Sequence, residues 1–226
     1  MDELKLNYAE STLTTKRKRI MIYFIEAAQK LIQSEGVDGL SIRKIANEAG
    51  YNSATLYNYF RDLEHLTLFG SVPYLQDYVV ALSQAITPDM PSIDQYRTIY
   101  KHFNDIAFRH PDIFHNMFFG RHSDSLGEVL QIYFYELFPN QLDDLSEPVR
   151  RMMVYGSMKE RDSITMQAMV EEGFIAPEKA DMTLDLIIAV HQTFIYEAAA
   201  KGEHLDLDEH KRNFDQIFEY ILAMGR

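Results

Sequence analysis

Cysteine and tryptophan are both missing from this 226-residue chain. Without thiols there are no disulfides and no thiolate metal sites, which fits a cytoplasmic location. No apolar run reaches eighteen residues, so no membrane span is expected. The charged opening MDELKLNYAE has no apolar core behind it, so no signal peptide is expected either. Alternating apolar–polar runs, internal repeats and low-complexity tracts are also absent. Chemistry-bearing constellations are equally scarce. His102, His110, His115 and His122 form no H-E-x-x-H pair, Glu203 to His210 lacks EF-hand spacing, and Gly156-Ser157 lacks the second glycine of a nucleophile elbow. The expectation is therefore no metal, no cofactor and no enzyme.

What is present is helical periodicity from end to end, so the expected fold is all-α with about nine or ten helices. Ile20, Phe24, Ala27, Ala28, Leu31 and Ile32 share one face of a helix over 15–34, and Gly36 stops it. Ser41 caps a short helix with Ile42, Ile45, Ala46 and Ala49 on its inner side, and Gly50 ends that helix. Asn52-Ser53 turns the chain into a third short helix carrying Leu56, Tyr57 and Phe60. Asp62 caps a fourth helix reaching about residue 86, with a kink expected near 69–73, where Pro73 cannot donate to the carbonyl of Phe69. Ser92-Ile93-Asp94-Gln95 reads as a capping box. Further helices are expected at 93–109, 111–119, 125–137, 147–172, 177–201 and 208–224. Two domains follow, 14–74 and 75–226, joined by the kinked helix.

Charge is unevenly spread. The net charge is −12, yet residues 1–66 hold nine Lys/Arg and nine Asp/Glu, so the whole surplus lies beyond them. Lys16, Arg17, Lys18 and Arg19 form an unbroken basic block. An acidic body with a neutral, locally basic end can orient itself on a polyanion, although such a block is as readily a solvated helix turn.

The stretch LSIRKIANEAGYNSATLYNYF, residues 40–60, carries the sharpest signal. Two short helices joined by a Gly-containing turn give helix-turn-helix geometry. Gly50 permits the left-handed turn, while Leu56 and Phe60 anchor the second helix. Ser53, Ala54, Thr55, Tyr57, Asn58 and Tyr59 are left to face outward, and no carboxylate occurs between Tyr51 and Arg61. Hydroxyls and amides on such a face bond phosphates or base edges. The spacing alone is also compatible with an ordinary αα-corner in a helical core.

These residues resemble the tetracycline-repressor (TetR) family of bacterial transcription regulators. The resemblance runs from about Arg19 to Leu66 through Ala27-Ala28, Gly36, Leu40-Ser41, Ile45-Ala46, Ala49-Gly50, Thr55-Leu56-Tyr57 and Tyr59-Phe60. It implies a three-helix DNA-binding head, a divergent helical ligand-binding and dimerisation domain, and a ligand-modulated regulator, usually a repressor. By resemblance Ser41 and Arg43 contact phosphate. Ser53, Ala54 and Thr55 lie at or near base edges, and Tyr57 and Tyr59 hold the backbone; Asn52 and Asn58 complete the candidate DNA-binding set. The family usually has Lys at the start of the fourth helix, where this chain has Leu63; Arg61 is the candidate substitute.

Behind the head, residues 93–201 are rich in aromatics and methionine. Most of these fill core, but such side chains also line adaptable apolar pockets. Tyr100, Phe103, Phe114, Phe118, Tyr133 and Tyr155 are the candidate lining for a small, largely apolar effector. Arg97, Arg109, His110, His115, Arg121 and His122 lie among them as candidate head-group partners. One helix-turn-helix reads only a few base pairs, so a pseudo-palindromic double-stranded operator and a homodimer are expected. The helix over 177–201, with Met182, Leu186, Ile187, Ala189, Val190 and Phe194, is the expected dimer element beside a C-terminal helix. A ligand would then swing each head about the 69–73 kink. The rival readings are a helical protein-interaction module without DNA binding, motivated by Leu63 and the acidic charge, and a small helical enzyme.

Overall fold

The computed structural model describes residues 13–87, 89–142 and 156–226. Among them the chain is all-α, without strands. The α-helices are α1 (Thr15–Glu35), α2 (Ile42–Ala49), α3 (Ser53–Leu56), α4 (Leu63–Ala85), α5 (Ser92–Ala107), α6 (Pro111–Phe119), α7 (Leu126–Gln131), α8 (Met158–Glu171), α9 (Ala180–Lys201) and α10 (Leu207–Met224). A π-helical segment, Ile132–Leu137, continues α7.

Local chemistry sets most of these boundaries. The Thr14 hydroxyl accepts from the Arg17 amide to open α1, and Gly36 closes it at φ 75°. Pro111 begins α6, where its fixed φ suits a first helical turn and its missing N–H is not needed. The capping box expected at Ser92 does not form. Pro91 occupies the cap position, so Ser92 is already inside the helix. Its amide is satisfied instead by the Glu172 carboxylate 2.9 Å away, and Gln95 donates to the Met90 carbonyl. The capping box lies elsewhere, between Ser157 and Glu160 at the start of α8.

α1 packs on α2 and α4, and α2 on α3. Helix α4 runs onward to meet α5, α6 and α7, while α9 lies against α6, α8 and α10. The core is one continuous cluster. It passes from Phe24, Ile45, Leu56 and Phe60 along Leu68, Phe69, Val72 and Leu75 of α4 to Tyr96, Tyr100, Phe114 and Phe214. The helix α4 is unbroken past Pro73. Gly70 is a contact point: a Cβ there would stand 3.0 Å from Ile32 Cδ1 and 3.2 Å from Ala28 Cβ, so the missing side chain lets α1 and α4 touch.

Candidate nucleic-acid interface and ligand cavity

The Ser41 hydroxyl accepts from the Lys44 amide and caps α2. Gly50 ends that helix at φ 77°, ψ 27°, a left-handed conformation that costs glycine little. Asn52 then caps α3, its Oδ1 accepting from the Thr55 amide at 2.9 Å and the Thr55 hydroxyl at 3.0 Å. Helix α3 is a single turn, shorter than expected; Tyr57 is its C-cap, and Phe60 lies in the turns that follow. One turn cannot hold itself against the cost of helix nucleation. Leu56 and Phe60 hold it from outside: both are buried, and Phe60 meets Phe24 and Phe69 edge-on at 6.2 and 5.5 Å. Burying side chains of this size contributes about 1.5–3 kcal/mol each.

Arg43, Asn52, Ala54, Tyr57 and Asn58 are exposed, whereas Ser41, Ser53 and Thr55 are half-buried. Tyr57 is the most open aromatic of the set, with 58% of its surface exposed. Two of the expected outward residues are otherwise engaged. Tyr59 is half-buried, with the Arg17 guanidinium 4.9 Å above its ring. Arg61 donates to the Ser125 hydroxyl at 2.8 Å and pairs with Glu128 at 3.3 Å. Leu63 packs against the core, which explains an apolar residue at that position.

The first helices are tied to the rest of the molecule by more than α4. Lys18 pairs with Glu136 at 2.5 Å, and Gln29 donates to the Tyr133 hydroxyl at 3.0 Å. Asp62, the cap of α4, accepts from the His65 amide and meets His122 Nε2 at 2.8 Å, with Arg121 at 3.5 Å. Burial pushes the Asp62 carboxyl up, but the His65 amide, His122 and Arg121 pull it further the other way and hold it below the usual range. His65 beside it is lowered to about 4, first by burial and then by the charges of Arg61 and His122. Its neutral ring accepts from the Arg61 amide through Nδ1.

Between α4, α5, α6 and α8 lies a cavity of about 20 Å³ lined by Tyr78, Ile99, Tyr100, Phe103, Phe118, Met158, Arg161 and Asp162. Three residues of the candidate ligand set, Tyr100, Phe103 and Phe118, therefore share one wall. Phe114 sits behind them, 5.1 Å from the Phe103 ring. Tyr133 is away from this cavity, at the joint with Gln29, and Tyr155 lies outside the described residues. Of the candidate head-group partners, Arg97 is held by Glu219 and Asp94, and Arg121 and His122 by Asp62. The sequence reading missed the buried pair Arg161–Asp162. Its signal was legible: Asp162 interrupts the stripe Met158, Met166, Met169 on the buried face of α8. Among the described residues no group of three His, Cys, Asp or Glu is placed to hold a metal, and no helix is long and apolar enough to cross a membrane.

Residues 24–68 match the family of bacterial regulatory proteins, tetR family. Over nearly its whole length the chain is similar to the structure of RolR in complex with the ligand resorcinol. The TM-score is 0.60 at 20% identity, covering 93% of this chain and 89% of that one. A protein described in connection with control of antibiotic production by bacterial hormones gives 0.53 at 14% identity, covering 92% and 98%. SCO7222, a TetR from Streptomyces coelicolor, gives 0.49 at 14% identity, covering 95% and 100%. No curated protein matches the chain. At such identities the shared property is the fold: residues 24–68 carry a tetR-type sequence, and the chain as a whole has the RolR architecture.

Proposed function

We propose that this protein is a sequence-specific DNA-binding transcription regulator, a repressor, whose hold on DNA is modulated by a small effector in the helical body. The carrying observation is the helix-turn-helix of α2 and α3, whose outer side from Tyr51 to Arg61 has no carboxylate in a chain of net charge −12. Regulators of the family matched by residues 24–68 bind DNA and respond to ligands. The head is residues 14–74 and the body 75–226. Ser41 and Arg43 take phosphates, Tyr57 and Tyr59 hold the backbone, and Ser53, Ala54 and Thr55 face the bases, with Asn52 and Asn58 beside them on the DNA-binding surface. Arg61 joins them on leaving Glu128. Electrophoretic shift with genomic fragments, followed by sequencing of the retained DNA, tests the reading. Retention of no fragment over bulk competitor would leave the interaction-module reading in its place.

The active species is a homodimer on a pseudo-palindromic operator. Support comes from two exposed stripes. Met182, Leu186, Ala189 and Tyr196 recur at helical spacing along α9, and Ile217, Tyr220 and Met224 along α10. Paired with their symmetry mates they make a four-helix bundle.

Two classes of head variant separate positioning from reading. Tyr57→Phe removes only a hydroxyl from an exposed ring, so binding weakens by about 1 kcal/mol, and equally for all sequences. Ser53→Ala instead changes preference at one or two base pairs. A binding-site selection on each variant distinguishes the two patterns; unchanged affinity and preference in both would show the wrong face was assigned.

The ties described above bear on how an effector signal travels. A swing about residues 69–73 alone leaves Gly70 seated on α1 and must break Arg61–Glu128 and His122–Asp62. The route favoured by these contacts is displacement of α7 and the α6–α7 connection, which hold Arg61 and Asp62 directly. Coupling is then reciprocal, and operator DNA changes effector affinity by the same factor.

A further inference from the structure

We propose that the cavity between α4, α5, α6 and α8 binds a small uncharged aromatic molecule bearing hydroxyl groups, of the dihydroxybenzene kind, with Asp162 and Arg161 as its polar partners. This rests on the effector-responsive reading above and gives the effector a chemistry. The walls favour a flat ring. Tyr78 and Phe118 stand edge-on to Phe103, with centroids 5.1 and 5.5 Å apart, and aromatic rings pack well into such T-shaped arrangements.

The polar end is more specific. The Asp162 carboxylate is buried, and the hydroxyls of Tyr96 and Tyr100 both donate to its Oδ2, at 3.2 and 2.5 Å. Among the described residues none donates to Oδ1. A buried carboxylate oxygen gains from a further donor. The neighbouring Arg161 is buried as well, its guanidinium 5.6 Å over the Phe118 ring, and it offers donors only. A cation would meet Arg161 and an anion would meet Asp162. A hydroxyl suits both, because it donates to a carboxylate and accepts from a guanidinium or a tyrosine. A plain hydrocarbon answers neither group.

A role in stability alone explains the pair poorly. Buried charged groups add little over apolar residues of the same volume, and α8 already fills its inner face with Met158, Met166 and Met169. Burial raises the Asp162 carboxyl to about 6, against the pull of Tyr100, Tyr96 and Arg161, so it remains mostly an acceptor at neutral pH. The cavity volume of about 20 Å³ is room for roughly one water. A ligand therefore enters by displacing a side chain, and Met158, unbranched and at the first turn of α8, is the adaptable one. The space opened by moving that one side chain is of single-ring size, too small for a sterol or a long acyl chain.

The test is calorimetric titration of the full-length protein with 1,3- and 1,2-dihydroxybenzene, toluene and benzoate. Saturable binding is expected for a dihydroxybenzene in the micromolar range, with toluene and benzoate at least about tenfold weaker. Asp162→Asn weakens the dihydroxybenzene at least about tenfold. Met158→Phe, which fills the cavity with apolar volume and leaves the polar pair untouched, also blocks it, and it decides the matter should Asp162→Asn fail to fold. Absence of saturable binding below millimolar concentration, or toluene binding as tightly as the diols, overturns the proposal. So does full affinity in the folded variants. Operator binding is measured in parallel. Diols that bind without altering operator affinity leave the site standing and remove its regulatory role, whereas operator binding without diol binding removes the site alone.

Discussion

Leu186→Glu gives a monomeric mass by light scattering at micromolar concentration and lowers operator affinity by about a hundredfold or more. Leu186 is an exposed apolar residue in the middle of the α9 stripe, while its neighbours Thr183, Leu184 and Ile187 point into the core. A carboxylate there leaves the monomer fold intact and puts two like charges near the two-fold axis of the proposed bundle. Each head alone reads too few base pairs for tight specific binding, so the gain from tethering two heads disappears with the interface. Circular dichroism separates this from unfolding, since the variant keeps its helix content. A dimeric mass for Leu186→Glu together with Tyr220→Glu would place the interface on another surface.

Acidification from pH 6.5 to 5 lowers the unfolding free energy, with up to about 2 kcal/mol contributed by His191. Its ring is fully buried among Tyr100, Phe103 and Phe214, with Nε2 2.8 Å from Asn104 Oδ1, and burial lowers it from 6.5 to about 3. The unfolded chain therefore binds a proton below pH 6.5 that the folded chain refuses until about pH 3. Stability falls as pH falls through that window. His65, lowered to about 4, acts in the same direction with a smaller share because it is less deeply buried. Asp162 opposes them. Its folded value of about 6 lies above the ordinary 3.8, so between pH 6 and 4 the folded state takes up the extra proton and gains stability on acidification. Chemical denaturation at pH 7, 6 and 5 should show a shallow decline in the wild type. The decline should be steeper in Asp162→Asn and flatter in His191→Gln; equal slopes for His191→Gln and wild type would rule the buried imidazole out as the source.

Asp162, one of the groups in that balance, also shows where the sequence stops being informative. Helix ends were legible because their causes are local. Ser41, Gly50, Asp62 and Pro111 each act within a turn of themselves: Ser41 and Gly50 bound α2, Asp62 opens α4 and Pro111 opens α6. Ser92 misled because a serine followed by Gln95 looks the same whether it caps the helix or is its first residue. Which of the two it becomes depends on Pro91 and on Glu172, 80 residues away. The site was partly legible for the same reason. The outer side of α3 follows from the positions of Leu56 and Phe60, but the loss of Arg61 to Ser125, of Tyr59 to Arg17 and of Tyr133 to Gln29 depends on packing between distant segments. Asp162 was readable as a break in a methionine stripe, yet its tyrosine partners come from α5, more than sixty residues earlier.

The internal pairing of the head's cations bears on how its operator complex answers to ionic strength. Lys18 is matched by Glu136, Lys30 by Glu48, Lys44 by Glu35 and Arg61 by Glu128, while Arg17 lies over Tyr59. Lys16, Arg19 and Arg43 have no ion pair among the described residues. Only cations that replace condensed counterions on the phosphates contribute to the logarithmic fall of affinity with added salt, by about 0.9 per phosphate neutralised. Three such residues per head give a dimer a slope near −5 by this estimate, and each internal pair that opened on the duplex would make it steeper. The slope thus counts how many of the head's cations leave their carboxylate partners, in head or body, when the protein meets DNA.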